Sequence, residues 1–263
     1  MIAPTASPGT SSDDAAPPAR NGDATAQRRV TALDAARGLA IVAMISYHLT
    51  WDLYVTGFTS INAATDPWLR LYARLIAASF LTVSGIALVL AHEGGAGGRR
   101  FLRRLATIAA AALAVTAGSW FAFPHSFIFF GILHCIALSS VLALPFLRAP
   151  AWATALAALV VLVLPQVFAS PAFEVWWLLW LGLGEIPPLS NDYVPIFPWF
   201  GFVLAGIAFW RWLPPGLRQE AARWRANGPV GRGLVFAGRH SLVIYLTHQI
   251  VLLGILTGLA SLR

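Results

Sequence analysis

Long apolar runs separated by short polar segments make up most of the chain after residue 29. Several runs reach the ~20 residues that an α-helix needs to cross a bilayer core. They are continuous rather than alternating, which argues against a β-barrel. We therefore predict an all-α, polytopic integral membrane helix bundle with about seven transmembrane helices. The predicted spans are residues 31 to 52, 69 to 90, 102 to 120, 127 to 147, 152 to 168, 195 to 213 and 235 to 258.

Two segments outside these spans have their own composition. Residues 1 to 29 are rich in Ala, Pro, Ser, Thr and Asp, which predicts a disordered cytoplasmic tail before a membrane-embedded domain over residues 30 to 263. No cleavable signal pattern precedes the first span, so we expect an uncleaved signal anchor. Residues 174 to 183 are apolar but too short to span, which predicts one short interfacial or re-entrant segment. Its tryptophans are typical of an aromatic belt, or of a platform that stacks on carbohydrate.

The distribution of charge gives the predicted bundle an orientation. The formal net charge is +7, from 18 basic residues, all of them arginine, against 11 acidic ones. The arginines cluster between spans on one side and the acids on the other, so the positive-inside rule predicts a cytoplasmic N-terminus and an extracytoplasmic C-terminus. Motifs that stack on bases or read a nucleic-acid groove are absent, which argues against a nucleic-acid partner.

The first predicted helix carries a polar stripe. Asp34, Arg37, His48 and Asp52 fall within an arc of roughly 60° at 100° per residue, and about 16 Å of helix separates Arg37 from His48. An ionisable side chain that faces lipid is costly, so we expect this stripe to face a protein interior or a wet cavity. His48 and Asp52 are i and i+4, a spacing at which the carboxylate can orient the imidazole as a general base. The alternative is a solvated helix end near the outer headgroups.

Other spans carry candidate cavity-lining residues. In the last span Ser241, Tyr245 and His248 share a face, with Arg239 at its cytoplasmic end. His134 is expected at a depth similar to that of His48, and Asp192 lies in a predicted outer loop. The alternative for His134 is a lone buried histidine that bonds to a neighbouring helix, and the alternative for the last span is interhelical hydrogen bonding that holds the bundle together. Cys135 is the only cysteine, which excludes an intramolecular disulfide or a multi-Cys metal site, and we predict no metal.

A basic run lies at the cytoplasmic start of the third span. Its members are Arg99, Arg100, Arg103 and Arg104. Guanidinium groups bind phosphate through paired hydrogen bonds, so this run is a candidate site for an anionic cofactor or substrate. The positive-inside rule alone would also explain the run.

Four segments resemble known membrane acyltransferases, in the same order along the chain. LDAARGLAIVAMISYH resembles the opening helix of the transmembrane acyltransferase superfamily, which joins the acyltransferase-3 family to the heparan-α-glucosaminide N-acetyltransferase catalytic family. Three later segments look like the bacterial branch of the latter group. They are FFGILHCIALS (129 to 139), DYVPIFPWFGFVLAGIA (192 to 208) and GRHSLVIYLTHQIVL (238 to 252).

The resemblance implies a transferase of the bacterial inner membrane. It would move an acyl group from cytoplasmic acyl-CoA to an amine or hydroxyl of an extracytoplasmic glycan or glycolipid, and acetyl is the acyl group that we expect. The functional Arg and His of acyltransferase-3 proteins correspond here to Arg37 and His48, and their Arg-x-x-Arg motif to Arg100 and Arg103. The lysosomal enzyme uses a His in the loop after this helix, whereas this chain has none between residues 49 and 91. The chain is also shorter than either better-known branch. Its cavity is therefore a candidate for completion by a second copy in a homo-oligomer.

On these grounds we predict an acyl-CoA-dependent O- or N-acyltransferase with His48 as base, Asp52 as its orienting carboxylate and Arg37 as a donor-binding or positioning residue. A proton-coupled transporter or flippase that uses intramembrane histidines is the alternative. A haem-binding electron carrier that uses two histidines from different helices is a third possibility.

Overall fold

The computed structural model of the chain describes residues 30 to 262, so the predicted tail over residues 1 to 29 lies outside the described residues. All regular secondary structure in the described part is helical, as predicted. The α-helices are α1 (Thr31–Val55), α2 (Pro67–Glu93), α3 (Gly98–Ala122), α4 (Ile132–Leu142), α5 (Ala151–Val167), α6 (Ile196–Trp212), α7 (Pro215–Arg223), α8 (Gly228–Arg239) and α9 (Ser241–Ala260). Short 3₁₀ turns lie at Pro145–Leu147, Pro171–Phe173 and Leu179–Leu181.

Four of the described helices, α1, α2, α3 and α9, are long and apolar enough to cross a membrane. A fifth span is possible if α6 and α7, which meet at an angle of 105°, form one broken span. The helices α4 and α5 are apolar but shorter. Membrane character is therefore confirmed, whereas the count of about seven spans stays a prediction.

The start of α2 shows how local sequence sets a helix end. The Asp66 side chain accepts hydrogen bonds from the backbone N–H groups of Trp68 and Leu69, both at 2.9 Å. Pro67 occupies the first helical turn, where its missing N–H costs nothing. The helix therefore begins two residues before the start predicted from hydropathy.

Two predicted spans are not single long helices in the structure. The span over residues 235 to 258 is broken at His240, where α8 ends and α9 begins. The span over residues 127 to 147 contains only the 11 residues of α4 and the following 3₁₀ turn. The predicted short segment over residues 174 to 183 contains one 3₁₀ turn and no α-helix.

Close contact with α8 fixes the position of the N-terminal half of α1. A Cβ atom on Gly38 would overlap the backbone carbonyl of Leu234, and one on Gly238 would overlap that of Asp34. These contacts follow opposite directions along the two helices, so the helices are antiparallel. Small residues at such a crossing allow two backbones to approach closely, which is typical of helix pairs in membranes.

The apolar interior consists of three clusters. One is formed mainly by α2, α4, α5 and α6. A second includes Ile41, Met44 and Ile76 of α1 and α2, and a third joins Ala111, Ala112 and Leu133 of α3 and α4. Tyr245 of α9 packs against all three clusters. This tyrosine therefore lies where the parts of the bundle meet.

Candidate functional site

A cavity of about 460 Å³ lies between α1, α2, α3, α4 and α9, and we call it the arginine cavity. One part of its wall is basic, and the rest is mainly apolar. The basic side chains are those of Arg37, Arg100, Arg103 and Arg104, and the apolar ones are those of Phe80, Ile108, Ile132, Leu133, Ile136 and Leu242. Its volume lies within the range of small-molecule sites.

The basic wall comes from two helices. Three of its arginines, Arg100, Arg103 and Arg104, lie in the first two turns of α3, where the i, i+3 and i+4 spacing places them on one face. Arg104 reaches across to α2, where its Nη2 donates to Ser84 Oγ at 3.4 Å. The exposed Arg99 does not line the cavity. Guanidinium groups beside a helix N-terminus favour an anionic ligand at this wall.

Asp34 holds Arg37 at the cavity. Its side chain is 11% exposed; Oδ1 lies 3.6 Å from Arg37 Nη1 and Oδ2 lies 3.3 Å from Arg239 Nε of α8. Asp34 and Arg239 do not line the arginine cavity. Asp34 is connected to the cavity through Arg37, and Arg239 is connected to it only through Asp34.

Tyr245 lines the arginine cavity together with Ser241, one turn earlier on the same helix. Its hydroxyl donates to Asp192 Oδ2 at 3.4 Å. The same oxygen accepts the backbone N–H of Ile132, the first residue of α4, at 2.9 Å. Burial raises the pKa of the Asp192 carboxyl, and these two hydrogen bonds oppose that rise. The carboxylate thus connects α9 to the start of α4, behind the cavity wall.

The two histidines of α1 and α9 lie side by side beyond Tyr245. The ring centroids of His48 and His248 are 4.8 Å apart, and those of His248 and Tyr245 are 5.9 Å apart. His248 Nδ1 lies 2.7 Å from the backbone carbonyl of Tyr245. A carbonyl can only accept, so Nδ1 carries a proton and, in the neutral ring, Nε2 presents a lone pair.

Asp52 pairs with Gln249 rather than with His48. The carboxylate is fully buried, and its Oδ1 accepts from Gln249 Nε2 at 2.6 Å. The predicted role of Asp52 as the group that orients His48 is therefore not supported by this arrangement. The polar stripe of α1 does face protein, because both of its aspartates are buried. We call His48, Asp52, His248 and Gln249 the histidine cluster.

Three polar atoms of this cluster are buried without a hydrogen-bond partner in the described part of the chain. They are Asp52 Oδ2, His248 Nε2 and Gln249 Oε1. A buried polar group left unpaired costs about 1–3 kcal/mol. Such a concentration of unpaired atoms indicates a site that a ligand or water completes.

His134 is bonded at both ring nitrogens and does not line the arginine cavity. Its Nδ1 accepts the backbone N–H of Gly131 at 3.2 Å, so its Nε2 carries the proton and donates to Thr116 Oγ1 at 3.1 Å. Thr116 in turn donates to the carbonyl of Ile128. His134 therefore ties the start of α4 to α3, which fits the structural alternative for this residue. Cys135 is fully buried in the packed interior.

Gln249 and Ser84 are polar members of the site that were not predicted from the sequence. Gln249 lies beside the predicted stripe of α9, and its role depends on a contact with a residue 197 positions away. Ser84 has no polar neighbour at helical spacing that would single it out. Only the polarity of each residue in an apolar helix could have been a signal.

The geometry and the sequence comparison point to the same part of the chain. Residues 29 to 250 match the family model described as heparan-alpha-glucosaminide N-acetyltransferase, catalytic. This range includes the arginine cavity and the histidine cluster. Comparison with curated proteins and with solved structures gives no match. The similarity to acyltransferase-3 proteins stays a prediction. The chain therefore belongs to the heparan-alpha-glucosaminide N-acetyltransferase catalytic-domain family, a family of acetyltransferases, and its apolar helices make it a membrane protein of that family.

Proposed function

We propose that this chain transfers an acetyl group from cytoplasmic acetyl-CoA to an amine or hydroxyl of an extracytoplasmic glycan or glycolipid. The supporting observation is a continuous series of groups. Tyr245 lines the arginine cavity, its ring contacts His248, and His248 in turn contacts His48. Anion-binding groups thus lie at one end of a path and proton-accepting groups at the other.

The donor would enter from the arginine side. Arg37, Arg100, Arg103 and Arg104 would bind the phosphates of CoA, while the apolar walls would take its pantetheine arm. The thioester would then lie toward Tyr245. If the donor enters from this side, the start of α3 would lie on the cytoplasmic side, as the positive-inside rule predicts. The N-terminus would then be cytoplasmic in a bacterial inner membrane.

The acceptor would react at the histidine cluster. Its nitrogen or oxygen gives up a proton to the His48–His248 pair and bonds to the thioester carbonyl carbon. The carbon–sulfur bond then breaks, and the sulfur leaves with the bonding electrons and takes up a proton. The products are the acetylated glycan and free CoA. This scheme keeps His48 in the catalytic pair and assigns Arg37 to the donor.

The test is transfer of radiolabelled acetyl from acetyl-CoA into membrane glycans, in membranes that contain the full chain. We expect Arg103→Ala and His48→Ala each to lower labelling by roughly tenfold or more, because each removes a group from the path. His125→Ala, at an exposed histidine outside the path, is the matched control and should label like wild type. Labelling that is equal in all four proteins would overturn the proposal.

The transporter alternative makes a different prediction. It requires substrate flux or proton coupling in proteoliposomes without an acyl donor. Flux that persists when no acetyl-CoA is supplied, together with no labelling, would favour a transporter.

A further inference from the structure

The three unpaired atoms of the histidine cluster belong to facing helices, α1 and α9. Asp52 Oδ2 and Gln249 Oε1 flank one hydrogen bond, because each shares a carbon with one of the two atoms that form it. His248 precedes Gln249, and its ring contacts His48, one helical turn from Asp52. The three atoms therefore lie in the same region of the contact between α1 and α9.

All three atoms accept hydrogen bonds. A carboxylate has no proton to donate, so Asp52 Oδ2 is an acceptor. Gln249 must present its Nε2 to that carboxylate, which leaves its carbonyl Oε1 unpaired. The Tyr245 carbonyl takes the Nδ1 proton of His248, which leaves the Nε2 lone pair. A group that satisfies all three atoms must bring hydrogen-bond donors, as a sugar hydroxyl or an amine does.

The two histidines of the pair differ in one respect. The Tyr245 carbonyl fixes the tautomer and the ring orientation of His248. His48 has ring contacts with Tyr47 and His248, and within residues 30 to 262 no hydrogen bond selects one of its nitrogens. A general base needs a defined nitrogen aimed at the proton that it removes. This requirement favours His248 over His48.

We propose that Asp52, His248 and Gln249 form the subsite for the acceptor's nucleophilic group, with His248 Nε2 as the atom that takes its proton. The inference rests on the proposed acetyl transfer and assigns its base and its acceptor side. The acceptor's N–H or O–H bond breaks toward His248 Nε2, and its freed electron pair forms the bond to the acetyl carbon. The thioester C–S bond breaks, and the CoA sulfur leaves with the electrons of that bond and takes up the proton that His248 received. Asp52 Oδ2 and Gln249 Oε1 accept hydrogen bonds from the acceptor's neighbouring donors. His48 positions the His248 ring.

The groups that face His248 are few in the described part of the chain. His48 faces it from α1, where Asp52 lies one helical turn further along and pairs with Gln249. Tyr245 precedes it on α9 and connects through its hydroxyl to Asp192. Protonation of His248 blocks its lone pair, so the rate should fall as pH is lowered. That fall is the acid limb of the pH profile.

The test compares His248→Asn with His48→Asn in membranes that contain the full chain, with radiolabelled acetyl-CoA as donor and the membrane's own glycans as acceptor. The Asn side chain can donate to the Tyr245 carbonyl in place of Nδ1–H, but it has no counterpart of Nε2. We expect His248→Asn to lower the initial rate by roughly 100-fold or more and to abolish the acid limb between about pH 5 and pH 8. His48→Asn should lose some rate but keep the acid limb.

Two further measurements separate chemistry from folding and from donor binding. Binding of radiolabelled CoA to the purified full chain should be unchanged in His248→Asn. Asp52→Asn, which keeps an acceptor for Gln249 but removes the charge, should lower the rate about tenfold with CoA binding unchanged. His125→Asn serves as the control for an exposed histidine.

Each outcome bears on a different claim. A wild-type rate and acid limb in His248→Asn would overturn the subsite while leaving acetyl transfer in place. Loss of CoA binding in His248→Asn would show a structural role and would also overturn the assignment. Absence of transfer by the wild type would overturn the proposed function, and the subsite with it.

Discussion

The backbone carbonyl of Tyr245 accepts the Nδ1–H of His248 at 2.7 Å, and the ring of the same tyrosine lines the arginine cavity. One residue of α9 therefore contacts both parts of the site. Its packing against all three apolar clusters leaves it little freedom to move. The separation between the cavity and the histidine cluster is thus set by the rigid core of the bundle, which suits a site that must hold two substrates in register.

Tyr245→Phe tests the polar part of this link. The substitution keeps the ring but removes the hydroxyl that donates to Asp192. The Asp192 carboxylate keeps only its hydrogen bond from the Ile132 N–H. We expect a loss of about 1 kcal/mol in the free energy of unfolding, seen as a Tm lower by a few degrees in detergent. CoA binding should be unchanged because the cavity wall is intact. Tyr54→Phe, at an exposed tyrosine near the end of α1, is the control, and equal Tm values for the two variants would contradict the role of this hydrogen bond.

Much of the fold follows from the lengths of the apolar runs. The predicted span over residues 195 to 213 agrees with α6 (Ile196–Trp212), and that over residues 152 to 168 agrees with α5 (Ala151–Val167). Hydropathy does not show where a backbone turns inside an apolar run. The break at His240 therefore went unpredicted, although it places α8 against α1 and α9 beside the cavity.

The sequence predicted which residues belong to the candidate site better than it predicted which of them contact one another. The stripe of α1 and the i, i+4, i+7 stripe of α9 both contribute to the site, because helical periodicity shows which residues share a face. Periodicity cannot show which faces meet. The Tyr245–Asp192 and Asp52–Gln249 contacts join residues 53 and 197 positions apart, and only the packing of the helices brings them together.

Asp34→Asn tests whether this carboxylate positions Arg37. The change removes the countercharge that Arg37 and Arg239 share, so Arg37 should lose its fixed position at the cavity wall. We expect KM for acetyl-CoA to rise about five- to tenfold with little change in kcat, which is the signature of weakened donor binding. Arg239→Gln leaves the Asp34–Arg37 pair in place and should have a smaller effect.

A double-mutant cycle distinguishes positioning by Asp34 from a general change in charge. If Asp34 acts through Arg37, Asp34→Asn in an Arg37→Gln background should have almost no further effect on KM. Full additivity of the two substitutions would show that they act independently. It would remove Asp34 from the donor site.

The close crossing of α1 and α8 gives a prediction about stability. A Cβ atom on Gly238 would overlap the Asp34 carbonyl, whereas one on Gly233 of the same helix meets nothing within 4 Å. Gly238→Ala must push the helices apart, and we expect it to destabilise the protein by about 1–3 kcal/mol. Gly233→Ala should be neutral or stabilising by about 0.5–1 kcal/mol, because alanine favours the helix. Thermal unfolding in detergent measures both, and equal Tm values would show that the crossing is not close.

The neighbouring arginines Arg99 and Arg103 provide a matched test of the donor site. They lie on one helix and carry the same charge, but only Arg103 lines the arginine cavity. If the run acts only as a topological signal, Arg99→Ala and Arg103→Ala should behave alike. If the cavity binds the phosphates of CoA, Arg103→Ala should weaken CoA binding about tenfold and Arg99→Ala clearly less, because loss of a charge-assisted hydrogen bond costs about 1.5–3 kcal/mol. The measurement is equilibrium binding of radiolabelled CoA to the purified full chain at low and high salt. Because Arg103 is exposed like Arg99, the Arg103 effect should be largest at low salt and smaller at high salt.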